Sequence, residues 1–364
     1  MKKIKTITCH EVYNYGASLQ EYALLKFLNN NGYDASVIHY KPPYLSGHFN
    51  LWSVSPRFDK PLLKQLYLLA KLPGRLKALK KKKNFDAFHQ KYIPTDKTLY
   101  QSNDELKRNL PEADVFICGS DQIWNSFFQN GKDPAFYLNF VPDDKKKISY
   151  AASFAIDELE EEVKPLVKEN VERMHAVGVR ETSGVRILNE LGIDNVVQVL
   201  DPVFLLDKEH WQEFVQPINE DYILVYDFDS NPLIKEIALS LKKEKGWKIY
   251  TLNQNIDYAD ENFWLEGPEK FLSLVSQSQI NLTNSFHSVA FSIIFEKEFI
   301  VVNRQEKINT RMRDITNLFH TNNLIDSYES YTKLESIDYG VINKYVEKSK
   351  KLSKEFLLNS LSTE

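Results

Sequence analysis

The chain has 364 residues, of which 43% are hydrophobic and 26% charged, the balance of an ordinary globular protein. A net charge of −4 gives no whole-chain case for nucleic-acid binding, and no apolar run reaches the roughly 18 to 20 residues of a membrane span. The length suits two domains of usual size, each with a sizeable core.

Residues 3 to 9 read as a buried strand, Ala17 to Asn30 as an amphipathic helix and Asp34 to Tyr40 as the next strand, a βαβ opening. Met1-Lys2-Lys3-Ile4 leads into that first strand rather than into an apolar leader, so a cytoplasmic location is expected. Gly16, in the loop from His10 to Gly16, permits either close approach of a ligand or a plain turn into the helix. Residues 41 to 58 are rich in Pro, Ser and Gly and read as irregular. Lys60 to Tyr92 is helical in pattern, with an interruption expected at Pro73-Gly74. Its first part, 60–83, carries about nine basic residues and no acidic one beside an apolar stripe of Leu62, Leu63, Leu66 and Leu69. That pattern fits a solvated helix leading to the core anchors Phe85, Phe88 and Tyr92 more readily than peripheral contact with anionic lipid at the inner membrane face.

Asp114 to Cys118 is a strand, followed by the loop Gly119 to Asn125. Asp121 in that loop is placed to take a proton from a hydroxyl, or to cap a turn. Cys9 and Cys118 end apolar runs and lie outside any CxxC pair, so buried free thiols are expected and no zinc or redox motif is read. Lys147 to Ala152 is a strand, and helices follow at 157–175 and 181–191. Between those helices Arg180 ends a short apolar strand in Val177-Gly178-Val179-Arg180-Glu181-Thr182-Ser183. Its guanidinium suits a carboxylate or phosphate held by two parallel bonds, or an ion pair with a nearby acid. Val196 to Leu200 then runs into the stop Asp201-Pro202.

A second alternation begins near residue 211, with strands at Tyr222 to Tyr226, Lys248 to Leu252, Gln279 to Leu282 and Phe299 to Val302. Helices are expected at 231–244, 268–276, 285–295 and 340–360. This divides the chain into 1–210, 211–335 and a helical tail 336–364, with a parallel sheet in each of the first two parts. Ligands of such sheets sit at the carboxyl ends of the strands, so two facing sheets form a cleft. The most informative loop is Thr283-Asn284-Ser285-Phe286-His287, which puts a histidine in the first turn of a helix. A helix start offers unpaired N–H groups to an anion, and an imidazole beside it can donate or move a proton. Alternatively Ser285 only caps the helix and His287 is solvated. Arg304, Arg311 and Arg313 add positive charge after the last strand. There is no HExxH, P-loop, GxSxG or GxGxxG; Asp227-Phe228-Asp229 is a DxD, a pattern too short to weigh much.

Taken together, these segments resemble the polysaccharide pyruvyl transferase family. The resemblance rests on His10…Asn14-Tyr15-Gly16-Ala17…Leu19-Gln20, on Cys118-Gly119-Ser120-Asp121-Gln122-Ile123-Trp124-Asn125 and on Ser149-Tyr150-Ala151-Ala152-Ser153-Phe154. It continues through Arg180-Glu181, Leu200-Asp201-Pro202, Thr283-Asn284-Ser285-Phe286-His287 and Arg304…Asn309…Arg311. The sequence departs from the family at Ser288, where glycine is usual, and at Asn284, often aspartate. The resemblance implies an α/β fold of two facing Rossmann-like domains, as in GT-B glycosyltransferases. It implies transfer of a pyruvyl group from phosphoenolpyruvate to two hydroxyls of a sugar, without metal or organic cofactor. By the same resemblance Arg180 looks donor-binding and His287 catalytic; from their places in the loops, Asp121 is expected to share the proton transfers, and Ser285, Asn284, Arg304 and Arg311 to bind the donor. Asn14, Tyr15, Gly16, Gln122 and Trp124 would face a saccharide acceptor, free or lipid-linked. The competing readings are a GT-B-like glycosyltransferase using a nucleotide sugar and a non-catalytic glycan-binding homologue.

Overall fold

The computed structural model describes residues 1–45, 49–52, 54, 60–254, 256–304 and 310–362. Asn309 of the family-like pattern lies outside the described residues, as does the side chain of Leu62. Runs such as Val115–Cys118 and Phe299–Val302 are apolar and buried throughout, the signature of strands covered on both faces of a parallel sheet.

The first sheet comprises β1 (Lys3–Ile7), β2 (Asp34–Val37), β3 (Val115–Cys118), β4 (Lys146–Ala152), β5 (Ala176–Val179) and β6 (Val196–Gln198), in the order β2-β1-β3-β4-β5-β6. The second comprises β7 (Tyr222–Tyr226), β8 (Lys248–Thr251), β9 (Glu261–Asn262), β10 (Ile280–Thr283), β11 (Phe299–Val302) and β12 (Leu324–Ile325), in the order β12-β11-β10-β7-β8-β9. Every pairing is parallel, as expected. The strand order reverses between β1 and β3 and again between β7 and β10, the two places where such sheets open a crevice for ligands.

Three expectations are corrected. The long helix Pro61–Tyr92 passes through Pro73 without a break. Its surroundings there are largely exposed, so the carbonyl group that Pro73 leaves unbonded can turn to water. The expected helix 157–175 is only Lys164–Val171, because Pro165 fits the first turn and not the interior. The two-residue strands β9 and β12 carry no periodicity and were not foreseen.

The helix Tyr15–Asn30 of the first sheet meets the helices Pro268–Gln277 and Phe286–Phe295 of the second. Tyr15 stacks on Phe271 with ring centroids 5.3 Å apart, and one apolar cluster runs through both facing sides. The last helix, Tyr339–Ser362, returns to the first sheet rather than standing apart. The Leu200 amide donates to Ser353 Oγ at 2.8 Å, the Phe356 ring lies against Gly178 of β5, and Leu357 and Leu361 are buried. Among the described residues no helix is long and apolar enough to cross a membrane.

Candidate functional site

β10 delivers the chain to the helix Phe286–Phe295 through Thr283, Asn284 and Ser285. Ser285 takes the extended backbone of an N-cap, yet its hydroxyl makes no capping bond. Its amide instead donates to Thr283 Oγ1 at 3.0 Å. The helix start is therefore not sealed by its own cap, which leaves first-turn N–H groups for an anion. His287 in this turn is buried, not solvated. Its Nε2 lies 3.4 Å from Asp201 Oδ2 and makes no hydrogen bond among the described residues. On its other side the imidazole lies against Gly16, where a Cβ would sit 1.9 Å from His287 Nδ1. Glycine at 16 is thus a matter of close approach: any side chain would displace the ring.

Arg180 follows β5 and reaches the same place from the first domain. Its Nη1 donates to Asp201 Oδ2 at 2.6 Å and its Nε to Glu181 Oε1 at 3.4 Å, all three residues being buried. Asp201 also accepts from Ser120 Oγ at 3.2 Å, and its second oxygen accepts from the Val203 amide at 3.2 Å. Burial alone would raise the Asp201 carboxyl, but the neighbouring His287 and Arg180 outweigh it and hold the group well below the usual carboxylate range. For Glu181 burial wins over Arg180 and Ser153, and its pKa rises.

Arg311 enters from the second domain on the helix Thr310–Leu318. The Phe286 ring lies near both guanidinium groups, 4.4 Å from Arg180 Cζ and 5.9 Å from Arg311 Cζ. Burial, with Arg180 close by, pushes the Arg311 pKa down to about 10. Asp121 Oδ1 is 3.9 Å from Arg180 Nη2 and 4.0 Å from Arg311 Nη1. The Asp121 backbone is left-handed, φ +69°, and is held there because its carbonyl accepts from the Ser153 amide at 3.1 Å beside β4. Arg180 Nη2 and Arg311 Nε are buried and have no hydrogen-bond partner among the described residues. Both arginines line a narrow interdomain cavity with Glu181, Asp201, Phe286 and Asp314. Of its lining residues, Asp314 accepts at Oδ2 from both the amide and the hydroxyl of Thr182 at 2.7 Å.

His287, Arg180, Arg311 and Asp121, distant in sequence, therefore converge. Other expected site residues do not. Asn284 spends its side chain on the loop after β7: its Nδ2 donates to Asp227 Oδ1 at 2.7 Å and its Oδ1 accepts from the Phe228 amide at 2.9 Å. Asp227 also accepts from the Asp229 and Asn231 amides, so the DxD folds its own loop. Arg304 donates to the Asn284 carbonyl at 3.2 Å and packs over Phe228. Arg313 pairs with Asp157 at 2.7 Å on the surface. Tyr15 and Trp124 are fully buried; the Trp124 indole donates to the Phe136 carbonyl and stacks on Tyr137, leaving no face for an acceptor. Gln122 accepts from Asn125 within its own loop. Asn14 caps its helix and borders a second groove with Tyr13, Tyr226, Phe228 and Trp264. Sequence reasoning missed Asp201, Ser120, Glu181 and Phe286 as parts of the site, although each stands inside a segment that carried the resemblance.

The sequence model of polysaccharide pyruvyl transferase matches residues 14–306. The chain belongs to this family. Among curated protein sequences none matches it. In fold, this pyruvyl transferase family member is similar to the UDP-N-acetylglucosamine 2-epimerase of Rickettsia bellii, with TM-score 0.53, 11% identity and coverage of 99% of this chain and 96% of that one. It is similar to MnaA of S. aureus, with TM-score 0.52, 12% identity and coverage of 99% and 96%. It is also similar to S. aureus TarM, with TM-score 0.51, 9% identity and full coverage of both chains. At such identities the likeness speaks for the shared arrangement of two Rossmann-like domains and for nothing finer.

Proposed function

We propose that this site transfers a pyruvyl group from phosphoenolpyruvate to two hydroxyls of one sugar in a cell-surface polysaccharide precursor, giving a cyclic ketal and phosphate. The observation that carries the reading is the pair of buried guanidinium nitrogens, Arg180 Nη2 and Arg311 Nε, that make no hydrogen bond among the described residues, beside an unsealed helix start. Buried cationic donors left without acceptors are costly, and a small anion bearing both carboxylate and phosphate satisfies them. In the reaction the donor's methylene carbon takes a proton and becomes methyl. The first sugar oxygen bonds to the central carbon, the carbon–oxygen bond to phosphate breaks, and the second sugar oxygen bonds to the same carbon. Of the two hydroxyl protons released, one equals the proton gained by carbon and the other leaves on phosphate. His287, at the helix start, suits proton delivery on the donor side, held in place by Asp201 and Gly16. Asp121 suits acceptance of a hydroxyl proton. The groove by Asn14, walled by Tyr13, Tyr226, Phe228 and Trp264, offers aromatic faces to a saccharide.

A lipid-linked acceptor gives the long helix a purpose. Leu66 and Leu69 are 58% and 67% exposed among the lysines, and Trp52, 70% exposed, sits near Arg75, which donates to the Leu51 carbonyl. Titration calorimetry with phosphoenolpyruvate, beside a panel of nucleotide sugars, tests the reading. Phosphoenolpyruvate is expected to bind, with the heat lost in Arg180→Ala and in Arg311→Ala, while His287→Ala abolishes turnover in a folded protein. Binding only to a nucleotide sugar would move the assignment to glycosyl transfer.

A further inference from the structure

Away from that cavity, the end of β1 carries a second cluster of side chains. His10 and Glu11 follow the strand, the helix Tyr15–Asn30 brings Ser18 and Glu21, and the long helix Pro61–Tyr92 brings His89. His10, Glu21 and His89 are buried, and Glu11 is partly exposed, with a left-handed backbone at φ +54°. One donor atom from each of His10, Glu11 and His89 lies within 4.8 Å of the other two. His10 Nε2 and Glu11 Oε1 are 3.8 Å apart.

The outer nitrogen of each histidine is already held. His10 Nδ1 is 2.7 Å from Glu21 Oε1, and His89 Nε2 is 2.8 Å from Ser18 Oγ. Metal-ligating histidines are fixed in this way, by a carboxylate or hydroxyl on the nitrogen turned from the ion. The remaining nitrogen of His89, Nδ1, is buried with no hydrogen-bond partner among the described residues. The two imidazoles lie nearly parallel with centroids 5.3 Å apart, and His39 closes one side edge-on at 5.5 Å. Lys41 pairs with Glu11 Oε2, which leaves Oε1 for the cluster. Ligands 2.0–2.2 Å from a tetrahedral ion stand roughly 3.3 Å from one another, so small side-chain rotations bring the three donors to bonding distance.

We propose that His10, Glu11 and His89 bind one divalent first-row transition-metal ion, Zn²⁺ by the character of the donors. Two imidazoles and one carboxylate leave the fourth position to water. The ion ties the loop leading to Gly16 to the long helix, and so acts on the placement of His287 from a distance. The site stands whether or not pyruvyl transfer is the reaction.

The full chain, stripped with chelator and dialysed, is titrated with Zn²⁺ by calorimetry, its metal content counted, and its Co²⁺ form recorded by visible absorption. One equivalent per chain is expected, with a Co²⁺ spectrum of low-coordinate type. Affinity should fall at least about tenfold in His89→Gln and in Glu11→Gln, and by about 10- to 100-fold in Glu21→Gln, which keeps all three ligands. Glu11→Gln lies at a partly exposed residue and guards against a simple folding failure, and thermal unfolding of each metal-free variant checks it. No binding by the wild-type chain, or equal binding by wild type and variants, overturns the proposal.

Discussion

Gly16 shows how a residue with no side chain fixes the place of a neighbour's ring. A methyl group there would stand 1.9 Å from His287 Nδ1, so the ring must move. Gly16→Ala is expected to cut turnover by about 100-fold or more, the scale of loss from a misplacement of an ångström or so, with only modest loss of stability. Rates near wild type would remove the contact from the mechanism. Asp201 is the other governing residue, since it meets Arg180, Ser120 and His287 at once. Asp201→Asn leaves Arg180 buried with a poorer partner and should destabilise by roughly 3–5 kcal/mol in denaturant unfolding. The sign with pH follows from its depressed folded-state pKa. The stabilisation is full above the unfolded value of about 3.9 and is lost as pH falls below it toward the folded value. The variant should therefore show a flatter acid limb than the wild type.

At the scale of elements, the helix Phe286–Phe295 begins with a serine that does not cap it. An ordinary Ser-to-Ala change at an N-cap costs about 1 kcal/mol. Here Ser285→Ala should leave the melting temperature nearly unchanged while weakening phosphoenolpyruvate binding by about 2- to 10-fold, the worth of one hydrogen bond. A clear loss of stability with unchanged binding would mean that the hydroxyl serves the helix after all. Elements of this kind were largely legible in the sequence. Strands such as Tyr222–Tyr226 and Phe299–Val302 announce themselves as continuous apolar runs, because both faces are covered. β9 and β12 do not, because two residues have no period. Of the site, the loops after strands were readable as places, and His287 and Arg180 as chemistry. Which side chains turn inward was not readable. Trp124 and Tyr15 became core because their neighbours Tyr137 and Phe271 offered stacking partners from elsewhere in the chain. The His10–His89 cluster was invisible for the same reason, since its members come from separate elements.

At the scale of the molecule, two Rossmann-like units meet through helices, and Arg180 of the first and Arg311 of the second both reach the Phe286 ring. The long helix is the part that projects apolar and basic side chains outward. The protein should sediment with vesicles containing anionic lipid at low salt and be released as salt rises. Leu66→Glu with Leu69→Glu should abolish that association while leaving turnover of a short, soluble acceptor intact. Failure to sediment at low salt would reduce the helix to a solvated arm.

The closing helix has a consequence for synthesis. Leu357 and Leu361 belong to the same apolar cluster as β1 residue Ile4, and the Lys2 side chain donates to the Leu361 carbonyl at 3.1 Å. As the chain leaves the ribosome, all six strands of the first sheet emerge before the helix that covers part of it, and the whole second sheet is made in between. The first domain therefore waits, with an apolar strip uncovered, for residues translated only after the second sheet. The same helix also packs on the second domain, where Tyr339 donates to the Lys297 carbonyl and Asn343 to Glu296, so neither domain is fully covered until that helix has been made.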